Sequence, residues 1–298
     1  MTGKMHAHEV DTDVSLVSRL LTTQFPQWAG LPIGSVPSAG TDNALYRLGD
    51  DMAVRLPRIH GAVDDIEMEH QWLPRLAPFL PLAVPVLLAK GQPGESYPWH
   101  WSIYRWLEGE SATIESIADP RQAAIDLAQF IVALQRIDPT DAPRAGRGVP
   151  LAKRDVYTRE AIEALRGLID TDAATAAWEA ALEVPVWHNP PVWVHGDMLP
   201  GNLLVKQGRI RAVIDFSGMG VGDPACDLMI AWNLFTAESR EVIRAALAVD
   251  NATWARGRGW ALSQALIFVP YYLKTNPVGV AIARRAIDEV LAEHGASG

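Results

Sequence analysis

The chain has 298 residues, 49% of them hydrophobic and 20% charged, a globular composition with room for one large or two medium domains. Its formal net charge of −9 argues against a nucleic-acid partner, whose phosphates need a basic face, and is compatible with a cationic small molecule. No apolar run is long enough to span a bilayer, so no membrane partner is expected. The N-terminal stretch MTGKMHAHEVDTD is polar and then acidic, unlike a secretory signal, and the one cysteine, Cys226, forms no intramolecular disulfide; a cytoplasmic location is expected.

In chain order, residues 13–25 carry helical apolar spacing at Val14, Val17, Leu20 and Leu21. The period then changes: NALYRLG and DMAVRLP read as strands joined at Gly49-Asp50-Asp51. Residues 63–77 read as a helix with Pro74 a break or kink near its end, and AVPVLLAKG and WHWSIYRWLEG are two further strand candidates. Near residue 109 the composition turns helical. DPRQAAIDLAQFIVALQRID is a helix that Asp119 can cap, with Pro120 in its first turn, and RDVYTREAIEALRGLID and AATAAWEAALE continue the helical pattern. PVWVHGDMLPGNLLV then sets a polar turn between two apolar runs, and LLVKQGRIRAVIDF forms a hairpin around Gln207-Gly208. GDPACDLMIAWNLF starts a helix with Asp223 as cap, or as a functional group, and the last fifty residues read helical. The pattern predicts an α+β chain of two lobes: a small antiparallel-sheet lobe over 1–107 and a larger, mainly helical lobe over 108–298 that carries the hairpin.

The polar turn concentrates the chemistry. A tight hairpin turn brings Asn202, at one end, beside Asp215, at the other, and the loop holding Asp197 leads directly into Asn202. A carboxylate and an amide oxygen suit Mg²⁺, and a second carboxylate nearby can accept a proton from a substrate hydroxyl. Those are the parts of a phosphoryl-transfer site.

HGDMLPGN has the H-x-D-x-x-x-x-N spacing of a kinase catalytic loop, IDFSG stands where kinases carry their metal motif, and GDPACDL follows. This order resembles the aminoglycoside phosphotransferase family, antibiotic and small-molecule kinases with a protein-kinase-like fold, over about residues 33–291. The resemblance implies Asp197 as catalytic base, Asn202 and Asp215 as ligands of Mg²⁺ against the phosphates of ATP or GTP, His195 as a structural residue of the loop, and Asp227 as its brace through backbone amides. It places Ser38, Gly40, Thr41 and Asn43 in the phosphate-covering loop and Glu69, with Glu67 as rival, in the helix position that pairs with a strand lysine. Here Arg55 stands for that lysine, a guanidinium able to grip phosphate bidentately. Tyr104 and Trp106 fall in the segment between lobes whose backbone meets the nucleotide base. The implied acceptor is a hydroxylated, cationic small molecule, an aminoglycoside first, with a macrolide, a sugar or an amino alcohol as alternatives. Asp155, Glu160, Glu238, Asp288 and Glu289 are its candidate acidic partners. Two rivals stand beside this reading: a nucleotide-binding pseudokinase, which Arg55 favours, and a metal-dependent hydrolase using His195, Asp197, Asp215 and Asp223.

Overall fold

The computed structural model describes residues 9–36 and 42–296. Helix α1 (Val14–Gln24) begins at Asp13, whose side chain accepts the Leu16 N–H at 2.6 Å. Strands β1 (Ile33–Ser35), β2 (Asn43–Leu48) and β3 (Met52–Pro57) precede α2 (Val63–Leu76), and β4 (Leu87–Gly91) and β5 (Trp101–Arg105) complete an antiparallel sheet of order β1-β2-β3-β5-β4. Alternation along β3 decides what each face meets. Met52, Val54 and Leu56 join Leu16, Val17, Leu20 and Leu21 of α1 in one apolar core, and Arg55 therefore turns to the opposite face, where α2 lies. Pro74 falls in the last turn of α2; the helix passes through it to Leu76, and a 3-10 turn, Ala77–Phe79, follows.

The remaining chain is built around a second core. After the short β6 (Glu110–Ser111) come α3 (Pro120–Gln135), α4 (Asp155–Ala164) and α5 (Thr171–Leu182), and Asp119 caps α3 through the Arg121 and Gln122 amides. Strand β7 (Val192–Val194) leads into the polar loop. Strands β8 (Leu203–Lys206) and β9 (Arg209–Val213) form the hairpin, with Gln207 and Gly208 at φ 55° and 74°, the two left-handed residues that a tight turn of this hand requires. β6 pairs with β8, and β10 (Gly220–Gly222) pairs antiparallel with β7. Helices α6 (Ile230–Asn233), α7 (Ala237–Leu247), α8 (Asn251–Tyr272) and α9 (Pro277–Ala296) close the fold. The helix expected from Asp223 onward is instead a 3-10 segment, Pro224–Met229, running into the four-residue α6. Trp178, Trp193, Trp232 and Trp260 are fully buried in this second core, and so are Leu73 and Leu76 of α2, which thereby ties the first sheet to the helical part. Among the described residues no helix is long and apolar enough to cross a membrane.

Candidate active site

The polar loop, residues 195–199, leaves β7 and is held from beneath by one buried carboxylate. Asp227 accepts the His195 N–H on Oδ2 at 2.7 Å and the Gly196 N–H on Oδ1 at 2.8 Å. Burial pushes its carboxyl up, while His195 and the two amides pull it back. Gly196 sits at φ 80°, and a Cβ there would overlap the Gly218 carbonyl oxygen, so neither the turn nor the close approach tolerates a side chain. The His195 ring is fully buried against Phe216, centroids 4.6 Å apart. Its Nδ1 accepts the Asp197 N–H at 3.2 Å, which leaves Nε2 as the protonated nitrogen, donating to the Ile214 carbonyl at 3.1 Å. Both ring nitrogens are thus spent on the backbone.

The next two groups are fixed by the hairpin. Asn202 ends the 3-10 turn Pro200–Asn202; its Nδ2 donates to the Asp197 carbonyl at 2.8 Å and to Asp197 Oδ2 at 3.2 Å, which turns its Oδ1 the other way. The Ile214 N–H donates to the Asn202 carbonyl at 2.8 Å and so delivers Asp215 next to that turn. Asp215 takes a left-handed backbone, φ 61°, at the start of the 3-10 turn Phe216–Gly218, and its side chain is 35% exposed. A neutral amide oxygen and a partly exposed carboxylate form a hard-oxygen pair that fits Mg²⁺.

Across from them, Arg55 Nη1 donates to both oxygens of the fully buried Glu69 at 2.8 Å, and Nη2 reaches Asp215 Oδ1 at 3.4 Å. Glu69 also accepts the Tyr104 hydroxyl and, at 3.1 Å, the Phe216 N–H. Glu67, its rival, faces outward to Lys90 and to His100 at 3.2 Å. One turn before Glu69, Asp65 is pushed up to about 7, chiefly by burial, with Asp215, Glu69 and Asp42 adding to the rise and Arg55 opposing it. Tyr104 lies inside β5 and supports Glu69 with its hydroxyl, while the Trp106 N–H bonds the Asp51 carbonyl at 2.7 Å and its ring lies under the Arg47 guanidinium. Asn43 opens β2 opposite Pro57, with Oδ1 buried and unpartnered. Ser38, Gly40 and Thr41 lie outside the described residues.

One contact to Asp197 has no sequence precursor. Residues 143–148 run along β10: Val221 N–H donates to Pro143 O at 2.8 Å, Ala145 N–H to Val221 O at 3.2 Å, and Asp223 N–H to Gly148 O at 2.8 Å. A Cβ on Gly220 would stand 2.5 Å from Ala145 N, so the approach depends on that glycine. The zipper delivers Arg147, whose Nη1 donates to Gly196 O at 2.8 Å and pairs with Asp197 Oδ1. RAGRGVP carries no period and no motif that would have flagged it.

The five acids named for a cationic acceptor are not brought together. Asp155 accepts from Arg159 and Trp178, both at 2.8 Å; Glu238 pairs with Arg121 at 3.2 Å; Glu289 pairs with Arg240 at 2.7 Å and Arg285 at 3.5 Å. Glu160 and Asp288 are exposed on α4 and α9. Asp223 caps the 3-10 segment and holds Arg256 at 2.7 Å. With Asp223 so engaged and both His195 nitrogens occupied, two of the four ligands that a hydrolase metal centre would need here are committed elsewhere.

The sequence signature of the phosphotransferase enzyme family matches residues 34–260. The chain belongs to that family. An aminoglycoside 3'-phosphotransferase from Escherichia coli is 33% identical to this phosphotransferase over 84 residues, which is 25% of the chain and 30% of that relative. The match to that relative therefore spans less than a third of its length. Solved structures share the fold over nearly the full length. The GDP complex of wild-type aminoglycoside 2'-phosphotransferase-IIIa superposes with a TM-score of 0.75 at 17% identity, covering 95% of this chain and 100% of that one. The ternary complex of streptomycin, ATP and APH(2'')-IIa gives 0.60 at 19%, covering 95% and 99%. The macrolide 2'-phosphotransferase MphH from Brachybacterium faecium gives 0.61 at 22%, covering 93% and 97%.

Proposed function

We propose that this phosphotransferase moves the γ-phosphoryl group of ATP or GTP to a hydroxyl of a small molecule. The observation that carries the reading is the convergence of Asp197, Asn202 and Asp215, each set by backbone hydrogen bonds, opposite the buried Arg55–Glu69 pair. Asp197 accepts the acceptor's hydroxyl proton as the oxygen bonds to Pγ; the bond from Pγ to the β-phosphate oxygen breaks, and its electron pair leaves with the nucleoside diphosphate. Asn202 Oδ1 and Asp215 would hold Mg²⁺, which when bound offsets the charge of the phosphates. Arg55 serves the phosphates, with Glu69 fixing its direction, and the backbone of the segment near Tyr104 and Trp106 serves the base. Residues 1–107 form the nucleotide lobe and 108–298 the lobe that carries the catalytic loop and acceptor site; the reaction is cytoplasmic. Relatives solved with GDP and with ATP support either nucleotide.

The relatives named above support an antibiotic acceptor, an aminoglycoside first and a macrolide second. An ADP-release screen over aminoglycosides, macrolides, sugars and amino alcohols tests the reaction. Asp197→Asn is expected to lower kcat by about 10²- to 10⁴-fold with ADP binding intact; near-normal turnover would remove Asp197 as the base. A pseudokinase is the second reading, because Arg55 occupies Asp215 as well as Glu69. ADP binding with no turnover on any acceptor would favour it.

A further inference from the structure

Asp197 and Arg147 are both hung on one pair of strands. The polar loop leaves β7 directly after Val194, and β10 pairs with β7 from Gly222↔Val192 to Gly220↔Val194. Residues 143–148 are joined to β10 in turn, by the three backbone bonds given above and by the parallel bridge Arg144↔Val221. Two glycines permit that approach: besides Gly220, a Cβ on Gly222 would stand 2.7 Å from the Gly148 carbonyl oxygen. Arg147 therefore starts from backbone tied to the same strands as the loop it reaches. Its Nη1 donates there at two points, to the Gly196 carbonyl at 2.8 Å and to Asp197 Oδ1. The second carboxylate oxygen is taken separately: Asn202 Nδ2 donates to Asp197 Oδ2 at 3.2 Å and to the Asp197 carbonyl at 2.8 Å. Each oxygen thus has one donor and keeps lone-pair capacity for another. A carboxylate held through both oxygens cannot turn about its last bond without breaking one of these hydrogen bonds. The side chains of Arg147 and Asp197 are 27% and 20% exposed, so the pair is sheltered from solvent yet reachable by a small molecule.

We infer that Arg147 is a positioning residue for the proposed phosphoryl transfer: it holds the Asp197 carboxylate and the Gly196 carbonyl in the geometry that receives the acceptor's hydroxyl proton. The inference rests on the phosphotransferase reading, in which Asp197 is the base. Arg147 acts through Asp197, and misplacing such a group by an ångström costs about 10²-fold in rate. Among the described residues Nη1 is the only nitrogen of Arg147 that bonds, so a lysine ammonium can supply both donors, whereas glutamine is shorter and uncharged. Two other roles leave different signatures. A latch that blocks Asp197 until an acceptor displaces it would speed turnover when removed, and a ligand of the acceptor would act on the acceptor's KM.

The test uses the full chain with Mg²⁺ and ATP, and ADP release is followed with kanamycin, erythromycin or water as the acceptor. Arg147→Gln should lower kcat about 10- to 100-fold with the KM for ATP within about twofold of wild type, and Arg147→Lys should recover part of the loss. In an Asp197→Asn background the same Arg147→Gln change should cost less than about threefold, because the group it positions is already gone; a purely structural arginine would cost the same in both backgrounds. Hydrogen exchange supplies a readout that needs no turnover: the amides of residues 195–199 should exchange at least about tenfold faster in Arg147→Gln, with the β8–β9 hairpin unchanged. If Arg147→Gln melts well below wild type, Arg147→Lys carries the same comparisons, with smaller losses in the same direction. An unchanged or raised kcat, a loss carried by the acceptor's KM, equal costs in both backgrounds, or unchanged exchange in the loop would overturn the inference. A wild-type chain that releases no ADP with any acceptor, water included, would count against phosphoryl transfer. Faster loop exchange in Arg147→Gln would then still support the clamp and unchanged exchange would remove it, so the two readings fail separately.

Discussion

Asp227 carries the most exposed wager in this structure. It accepts two backbone N–H groups from adjacent residues of the polar loop, at 2.7 and 2.8 Å, and it is fully buried. Asparagine keeps its shape but has one acceptor oxygen, so its amide faces one of the two donors. The lost charge-assisted bond is worth about 1.5–3 kcal/mol, and the buried N–H left behind costs about 1–3 kcal/mol. These overlap, and removing a desolvated charge returns part of the cost, so the net loss is about 2–3 kcal/mol. At roughly 2–4 °C per kcal/mol, Asp227→Asn should melt about 4–12 °C below wild type in a calorimetric or dichroism scan. Because the orphaned amide belongs to His195 or Gly196, the displacement falls on Asp197, and kcat should fall about 10²-fold, the cost of misplacing a catalytic group by an ångström. A variant within 2 °C of wild type and within twofold in kcat would refute the claim that this carboxylate positions the loop.

Gly196→Ala should be worse for catalysis than for folding: the left-handed backbone costs an L-residue about 1–2 kcal/mol, and the methyl must displace the Gly218 carbonyl, so kcat is expected to fall more than about 10²-fold, read by ADP release beside a melting scan. Asp65 keeps its proton in the folded chain up to about pH 7, whereas an unfolded chain loses it near pH 4. The folded state thus binds the extra proton, and stability from this group falls as pH rises from about 4 to 7. Asp65→Asn, which mimics the protonated form, should therefore melt above wild type at pH 8 and level with it at pH 4; the opposite order would sink the assignment. Arg55→Lys replaces a fork that spans Glu69 and Asp215 with a single ammonium, so Asp215 should be released and the Mg²⁺ concentration needed to support ADP binding should fall, as measured by a Mg²⁺ titration of ADP affinity.

What was legible follows from how each contact is made. Asp197, Asn202 and Asp215 were readable because one loop and one hairpin carry all three, and the turn residues Gln207 and Gly208 fix the pairing locally. Glu69 was readable in part. It shares the buried stripe of α2 with Ile66, Leu73 and Leu76, at helical spacing, while Glu67 sits off the stripe; that periodicity separates the rivals without a structure. The nearby 3-10 segment was not readable, since Asp223-Pro224 opens a 3-10 turn and an α-helix with the same residues. Arg147 was beyond reach for a deeper reason. Its position is set by β10 running between β7 and residues 143–148, a contact between segments some seventy residues apart that is specified by a missing side chain at Gly220. A glycine marks that something comes close but says nothing about what. The loop-and-hairpin half of the site was thus written in local spacing, while Arg147, which pairs with Asp197, was placed by tertiary packing.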